Sequence, residues 1–497
     1  MSSKSHMHGS GESYSGVVLT KHPNKSGRPL AEGVEGRPLT KENTPQPNPY
    51  RTPSRDSGPS GLERVREAAR RDGKLKFTAL LHHVTVDLLR DSYGSLKKQA
   101  APGVDGVRWE EYGRDLEVRL TGLHGRIHRG AYRARPSRRV WIPKADGRQR
   151  PLGIAALEDK IVQHAVGRVL SQIWEEDFLG FSYGFRPGRS QHDGLDALWV
   201  GMVRKKVNWV LDLDIRGFFD NMDHEWLVKF VEYRIGDRRV VRLIQKWLKA
   251  GVLEQGTWSE TEVGTPQGAV ISPQLANLYL HYVLDVWVNH WRKKAKGDVI
   301  VVRYADDAVL GFQYREEAER FLEQFEERLR KFGLELHPDK TRLIEFGRYA
   351  TERRKKRGAG KPETFNFLGF THICGTNHQT GQFTVHRRTM GKRMAAKLKD
   401  IRAKLRQRLH GAVGNTVDWL GAVVRGYFQY HAIPGNWARL RAFRNQVRWL
   451  WWRQLRRRSQ RSRWTWARFQ ERLGTLLPEI RIQHPYPDVR FDAKHPR

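Results

Sequence analysis

Nothing in this 497-residue chain limits its fold more than Tyr304-Ala305-Asp306-Asp307, set between the apolar runs Val299 to Val302 and Ala308 to Phe312. Two runs of β-formers broken only by a pair of adjacent carboxylates predict an antiparallel hairpin with the acids at a tight turn. A turn of that kind can hold a divalent metal. Two adjacent aspartates by themselves also fit an ordinary solvated turn.

A second acidic segment narrows the choice. In Trp209-Val210-Leu211-Asp212-Leu213-Asp214-Ile215 the period of two puts Asp212 and Asp214 on one strand face and Leu211, Leu213 and Ile215 on the other. A carboxylate facing a core is costly unless a partner or a cation compensates it, so metal is a natural candidate; an edge strand with solvated acids is the alternative. Together the two segments suit nucleotidyl transfer, in which two Mg²⁺ ions about 4 Å apart activate a 3′-hydroxyl and stabilise leaving pyrophosphate. Magnesium keeps water and substrate phosphate as ligands, so Asp214 and Asp306, with Asp307 beside them, are enough protein for both ions.

Composition agrees. There are 90 Lys+Arg against 54 Asp+Glu, a formal net charge of +36, which attracts polyanions over a wide surface. The 17 Trp, 15 Tyr and 20 Phe supply a large core, and the single cysteine, Cys374, excludes an internal disulfide framework and any Cys-rich zinc site. No apolar run approaches the roughly 18 residues of a membrane span, and no signal pattern opens the chain, so a soluble, cytoplasmic protein is expected. Residues 1–60 read as a loose basic tail, and Arg348 to Pro362 as a solvated basic loop able to touch RNA. From about Thr389 onward the pattern turns to long helices. Met394, Leu398, Ile401 and Leu405 form one packing face, and Trp419 to Tyr430 and Trp437 to Arg458 give two further helices. Their Trp rings suit packing, with stacking of an exposed member on an RNA base as the alternative.

Several further blocks, in order, carry a resemblance to a known family. They are Ala101-Pro102-Gly103-Val104-Asp105-Gly106, Val140-Trp141-Ile142-Pro143-Lys144, Arg150-Pro151-Leu152-Gly153-Ile154 and Tyr183-Gly184-Phe185-Arg186-Pro187-Gly188-Arg189-Ser190. After the Asp214 block come Gly264-Thr265-Pro266-Gln267-Gly268, the Tyr304 block, Leu336-His337-Pro338-Asp339-Lys340-Thr341 and Phe367-Leu368-Gly369-Phe370. In this order the chain resembles a bacterial group II intron reverse transcriptase, or maturase, of the compact type without a nuclease domain. The resemblance implies an α/β (α+β) right-hand polymerase: fingers and a palm with an antiparallel sheet, then an all-helical thumb or maturase domain. The expected divisions are a tail at 1–60, N-terminal extension and fingers at 61–208, palm at 209–375, helical thumb at 376–485 and a C-terminal tail at 486–497.

The site follows the same resemblance. Asp214, Asp306 and Asp307 are the expected catalytic residues, with Asp214, Ile215, Asp306 and Asp307 at the metals, Mg²⁺ with Mn²⁺ able to substitute. Lys144 and Arg150 flank the turn Ala145-Asp146-Gly147-Arg148 on a β-hairpin and become triphosphate ligands. Phe219 packs under the sugar and excludes a 2′-hydroxyl; Phe218 would face the other way if the strand continued. Gln267 lies against nucleotide and template, and Lys340 near the pyrophosphate. Arg186, Arg189, Arg456, Arg457 and Arg458 are expected RNA contacts, with a solvated basic face as the alternative for each.

The expected activity is RNA-directed DNA synthesis from dNTPs on a DNA primer 3′-end, with binding of intron RNA to assist splicing and retroelement mobility, and nucleoid association during mobility. A domesticated or defence-associated reverse transcriptase without an intron, or an RNA-binding splicing cofactor alone, would share much of this sequence. A structural RNA-packaging protein would account for the charge but not for the acids. With one cysteine the chain is not expected to carry the Cys-rich nuclease found in many relatives.

Overall fold

The structure is a computed structural model describing residues 61–143, 149–254, 257–259, 263–265, 268–377, 379–459 and 462–496. Lys144, the turn after it and Gln267 lie outside the described residues, as does the expected tail at 1–60.

The expected hairpin forms. Strands β6 (Val299–Tyr304) and β7 (Asp307–Phe312) pair antiparallel with Tyr304 opposite Asp307, leaving only Ala305 and Asp306 in the link. β7 pairs next with β3 (Trp209–Leu213), and β3 with β8 (Arg342–Glu345), in an antiparallel sheet of order β6-β7-β3-β8. β3 is therefore central. Val210, Leu211 and Leu213 are all buried, so both sheet faces are covered near the site instead of one.

Helices do the covering. α1 (Leu157–Asp177) and α2 (Gln191–Arg204) are built of residues that are mostly enclosed, and Ser190 opens α2 with a reciprocal capping box to Asp193. The apolar run after Ser272 gives α3 (Ser272–Leu280), which continues through a π-helical turn, His281–Asp285, into the helix Val286–Lys293. α4 (Arg315–Arg330) packs Phe321 and Phe325 beneath the sheet, Phe321 lying 5.4 Å from Phe312 of β7.

A second sheet, of order β2-β1-β4-β5, contains the other expected hairpin. β1 (Ser137–Pro143) and β2 (Gln149–Ile154) pair antiparallel with Ile142 opposite Arg150, and β1 pairs in parallel with β4 (Val252–Glu254) beside β5 (Thr257–Ser259). A third sheet joins β9 (Phe365–Phe367), β10 (Phe370–Thr376) and β11 (Phe383–Thr389). The change to helices comes after Thr389, as composition predicts; the hairpin β10–β11 thus straddles residues 375 and 376, where the expected palm and thumb divide.

Beyond it, α5 (Gly391–Gln407), α6 (Val413–His431) and α7 (Trp437–Arg456) close a separate core on Leu405, Leu420, Phe428, Phe443, Val447 and Trp451. Two expectations are corrected. Residues 348–362 are not one solvated loop: Ala350–Lys356 is helical, anchored by the buried Ala350 and by an ion pair from Arg357 to Glu345. The segment after 485 is not a tail either, since α8 (Pro487–Lys494) docks on α2 through Arg204–Asp492, Lys494–Asp193 and the enclosed Arg490–Asp196 pair at 2.8 Å. Among the described residues no helix is long and apolar enough to cross a membrane.

Candidate active site

The hairpin tip carries backbone strain. Ala305 sits at φ 56°, a region that disfavours any side chain, and such strain persists only where surroundings hold it. Two neighbours do so here. A Cβ on Gly184 would come within 2.2 Å of the Ala305 amide nitrogen, so only glycine permits this approach. The fully buried Arg303 donates to the Ala305 carbonyl at 2.9 Å, to Ser182 Oγ and Asn277 Oδ1, and bidentately to Asp285 at 2.7 and 2.5 Å. The π-helical turn brings Asp285 to this position.

The acids converge as the two sequence segments suggest. β3 pairs Leu213 with Ala308, so one step further along the ladder Asp214 faces Asp307. Burial first, then the Asp306, Asp214 and Asp212 carboxylates, push the Asp307 carboxyl up to about 8, while Arg393 at the start of α5 opposes the rise. Burial likewise raises Asp212 to about 6, against the pull of Arg342 at 3.8 Å. Past β3, the Arg216 amide donates to the Glu335 carbonyl and the His337 amide to that of Asp214. Because peptide groups alternate along an extended chain, the N–H and C=O of Ile215 point the opposite way, toward β7.

Lys340 sits at the acids, its ammonium 2.5 Å from Asp214 Oδ2. No group of three or more His, Cys, Asp and Glu side chains among the described residues is assembled to hold a metal ion as it stands. The donor set nevertheless suits a hard cation: four clustered carboxylates, one already drawing an ammonium and another whose ionisation is disfavoured by burial and by its neighbours, gain from added positive charge.

Around the acids the chain stops being a strand. Residues 216–220 turn, so Phe218 and Phe219 are separated by the turn and not by strand alternation. Phe218 packs toward Tyr279 of α3, ring centroids 6.2 Å apart. Phe219 lies at the other loop, where its carbonyl accepts from the Thr265 amide at 2.8 Å and a Cβ on Gly264 would strike it. Gly268, at φ 113°, in turn abuts Leu152 and Gly153 of β2. Gly264 thus abuts Phe219, and Gly268 abuts the strand bearing Arg150.

The basic residues divide. Arg186 was expected to touch RNA, but it is 2% exposed and spends its donors on Glu175 at 2.9 Å and on the carbonyls of Leu179, Ser182, Glu175 and Phe178. It is a structural cation. Arg189 is half-buried, bonded to the Gly180 carbonyl and lying over the Tyr183 ring. Arg456 and Arg457 are exposed and Arg458 half-buried at the end of α7, far along the chain from the acids. Sequence reasoning missed Arg303, Asp285 and Arg393. Arg303 had a signal, a charge inside the apolar run of β6; Arg393 had none.

Residues 142–372 match the family described as reverse transcriptase (RNA-dependent DNA polymerase). The chain is 31% identical over 304 residues to the group II intron-encoded protein LtrA of Lactococcus lactis subsp. cremoris, an alignment covering 59% of this chain and 50% of that protein. It is 41% identical over 190 residues to the protein YkfC of Escherichia coli strain K12, covering 38% and 50%. It is 40% identical over 159 residues to an uncharacterized 91 kDa protein in a cob intron of Schizosaccharomyces pombe, covering 32% and 19%. The chain therefore spans about half the length of the first two relatives.

Proposed function

We infer that this chain, a homologue of group II intron-encoded proteins with a reverse transcriptase domain at residues 142–372, extends a DNA primer on an RNA template from dNTPs. The observation that carries the reading is the meeting of Asp214 with the strained Asp306–Asp307 hairpin inside that domain. Asp214, Asp306, Asp307 and the Ile215 carbonyl are the proposed holders of Mg²⁺, which when bound supplies Lewis acidity to the attacking and leaving oxygens. Arg150, with Lys144, receives the triphosphate; Gln267 contacts nucleotide and template; Phe219 closes the space under the sugar. Lys340, drawn off Asp214 as the site fills, is placed to hold a proton for the departing pyrophosphate.

In this reading residues 61–208 supply the extension and fingers, 209–375 the palm, and the helical unit to residue 485 the thumb. That unit also binds intron RNA through Arg456 to Arg458, assisting splicing and mobility in the cytoplasm and at the nucleoid. Support comes from its charge: no Asp or Glu occurs from Trp419 to Gln470. The test is incorporation of dTMP on a poly-rA/oligo-dT substrate. Extension that a chelator stops and added Mg²⁺ restores is expected; extension unaffected by chelation, or none at any Mg²⁺ concentration, would contradict the assignment.

A further inference from the structure

The outer face of α7 carries residues that neither packing nor the catalytic site uses. Trp437, Arg441, Asn445, Trp449 and Arg453 follow one another at four-residue spacing, so they form one continuous stripe about 24 Å long that winds by about 40° per step round the outer half of the helix. The opposite face is committed to the core through Leu440, Phe443, Val447 and Trp451. Along the stripe cations sit on rings, Arg441 at 4.9 Å from the Trp437 centroid and Arg453 at 4.5 Å from that of Trp449.

Midway, the stripe opens into a cleft of about 650 Å³ lined by Asn445, Gln446, Arg448, Trp449, Trp466 and Gln470. That volume suits a small planar ligand. Trp449 and Trp466 remain 41% and 40% exposed, unusual for rings whose neighbour Trp451 is fully buried. Three amides supply donors and acceptors together. Among the described residues Arg448 adds a buried Nε with no hydrogen-bond partner, beside a second cation, Arg444, which donates to the Leu477 and Pro478 carbonyls. An unpaired buried donor calls for an acceptor, and the amides and indoles call for a flat, hydrogen-bonding ring.

Charge selects the polymer to which that ring belongs. From Pro434 to Gln470 there are 11 Arg and no acid, which repels basic surfaces and favours a polyanion. We propose that the Trp449–Trp466 cleft captures one unpaired base of single-stranded RNA, the bases on either side lying along the Trp437 to Arg453 stripe. This deepens the RNA-binding reading above, on which it rests for the class of polymer. The catalytic acids play no part in it.

The test uses the full chain, a 12-nucleotide single-stranded RNA carrying 2-aminopurine, and the same RNA as a perfect duplex. Wild type should bind the single strand more tightly than the duplex and quench its fluorescence. The W449A/W466A pair should lose the quenching and weaken single-strand binding by about tenfold, within the range for one lost stacking contact. Duplex affinity should change less than twofold and the salt dependence should stay the same, because no charge is removed. W449F/W466F, which keeps flat rings, should stay within about threefold of wild type and thereby separates stacking from misfolding. Equal losses on single strand and duplex, an unchanged single-strand affinity in the Ala pair, or wild type indifferent to strandedness would each overturn the proposal, the last pointing to contact with the phosphate backbone alone. A chain that shows the quenching but extends no primer would sink the polymerase reading and leave this site standing.

Discussion

At the scale of single residues, the acids were legible because charge inside an apolar strand pattern is expensive, and the structure brings Asp212, Asp214 and Asp306 close enough to Asp307 to act on its charge. The same logic applied to Arg303 within Val299–Tyr304 would have marked it as paired, but its partner, Asp285, lies on a helical turn whose path the sequence does not disclose. Arg186 was misread because composition cannot tell an enclosed guanidinium from an exposed one. Breaking the Arg303–Asp285 pair by Arg303→Met should cost about 3–5 kcal/mol, since it strands a fully buried carboxylate. Urea unfolding checks this, and a loss under about 1 kcal/mol would show the hairpin is held some other way. Phe219→Val should admit ribonucleotides, while Phe218→Val, on the core side of the turn, should lower stability and leave sugar selection intact. The reverse pattern in an incorporation assay would mean the wrong ring was named.

At the scale of elements, both hairpins were legible because runs of β-formers bracket short turn sequences. The π-helical turn was not, because it repeats the apolar spacing of the helices around it. The helical C-terminal segment escaped notice because its stability comes from docking: α8 lays Arg490 on Asp196, which Arg387 of β11 also grips at 2.7 Å. Next to it the His192 and His484 rings stack at 3.9 Å, each donating from Nε2 to a main-chain carbonyl of α6, that of Tyr430 at 2.8 Å and that of Gln429 at 2.7 Å. Burial, followed by neighbouring charge, pushes His484 down to about 4 and His192 well below its ordinary value. Both stay neutral when folded but take up protons near pH 6.5 when unfolded, so stability is full above that pH and is lost as pH falls from 6.5 toward 4. Arg387 and Arg490 press the same way; Asp193 and Asp196 face them as counter-charges. The thermal midpoint should therefore drop between pH 7 and 5 in wild type and drop less in H192F/H484F. Parallel pH profiles would contradict the linkage.

At the scale of the whole molecule, net charge pointed toward a polyanion and the ordered blocks toward the reverse transcriptase family that residues 142–372 match, but neither told how the helical unit closes a core of its own. That depended on which of many tryptophans turn inward. Its exposed arginines should make RNA binding salt-sensitive, with affinity falling by roughly 10³ or more between 50 and 200 mM salt if six or more phosphates are neutralised. Neutralising Arg456, Arg457 and Arg458 together should flatten the logarithmic slope by up to about three units; an unchanged slope in a folded variant would make them a solvated face. The central claim is that the carboxylates at the β3 end and hairpin tip perform metal-assisted synthesis, apart from the basic surface that holds RNA. It is tested most directly by assaying Asp306→Ala for both properties side by side. DNA synthesis on poly-rA/oligo-dT should vanish while RNA affinity stays nearly unchanged, because a lost metal ligand acts on the transition state and not on the many phosphate contacts. Synthesis within tenfold of wild type would contradict it.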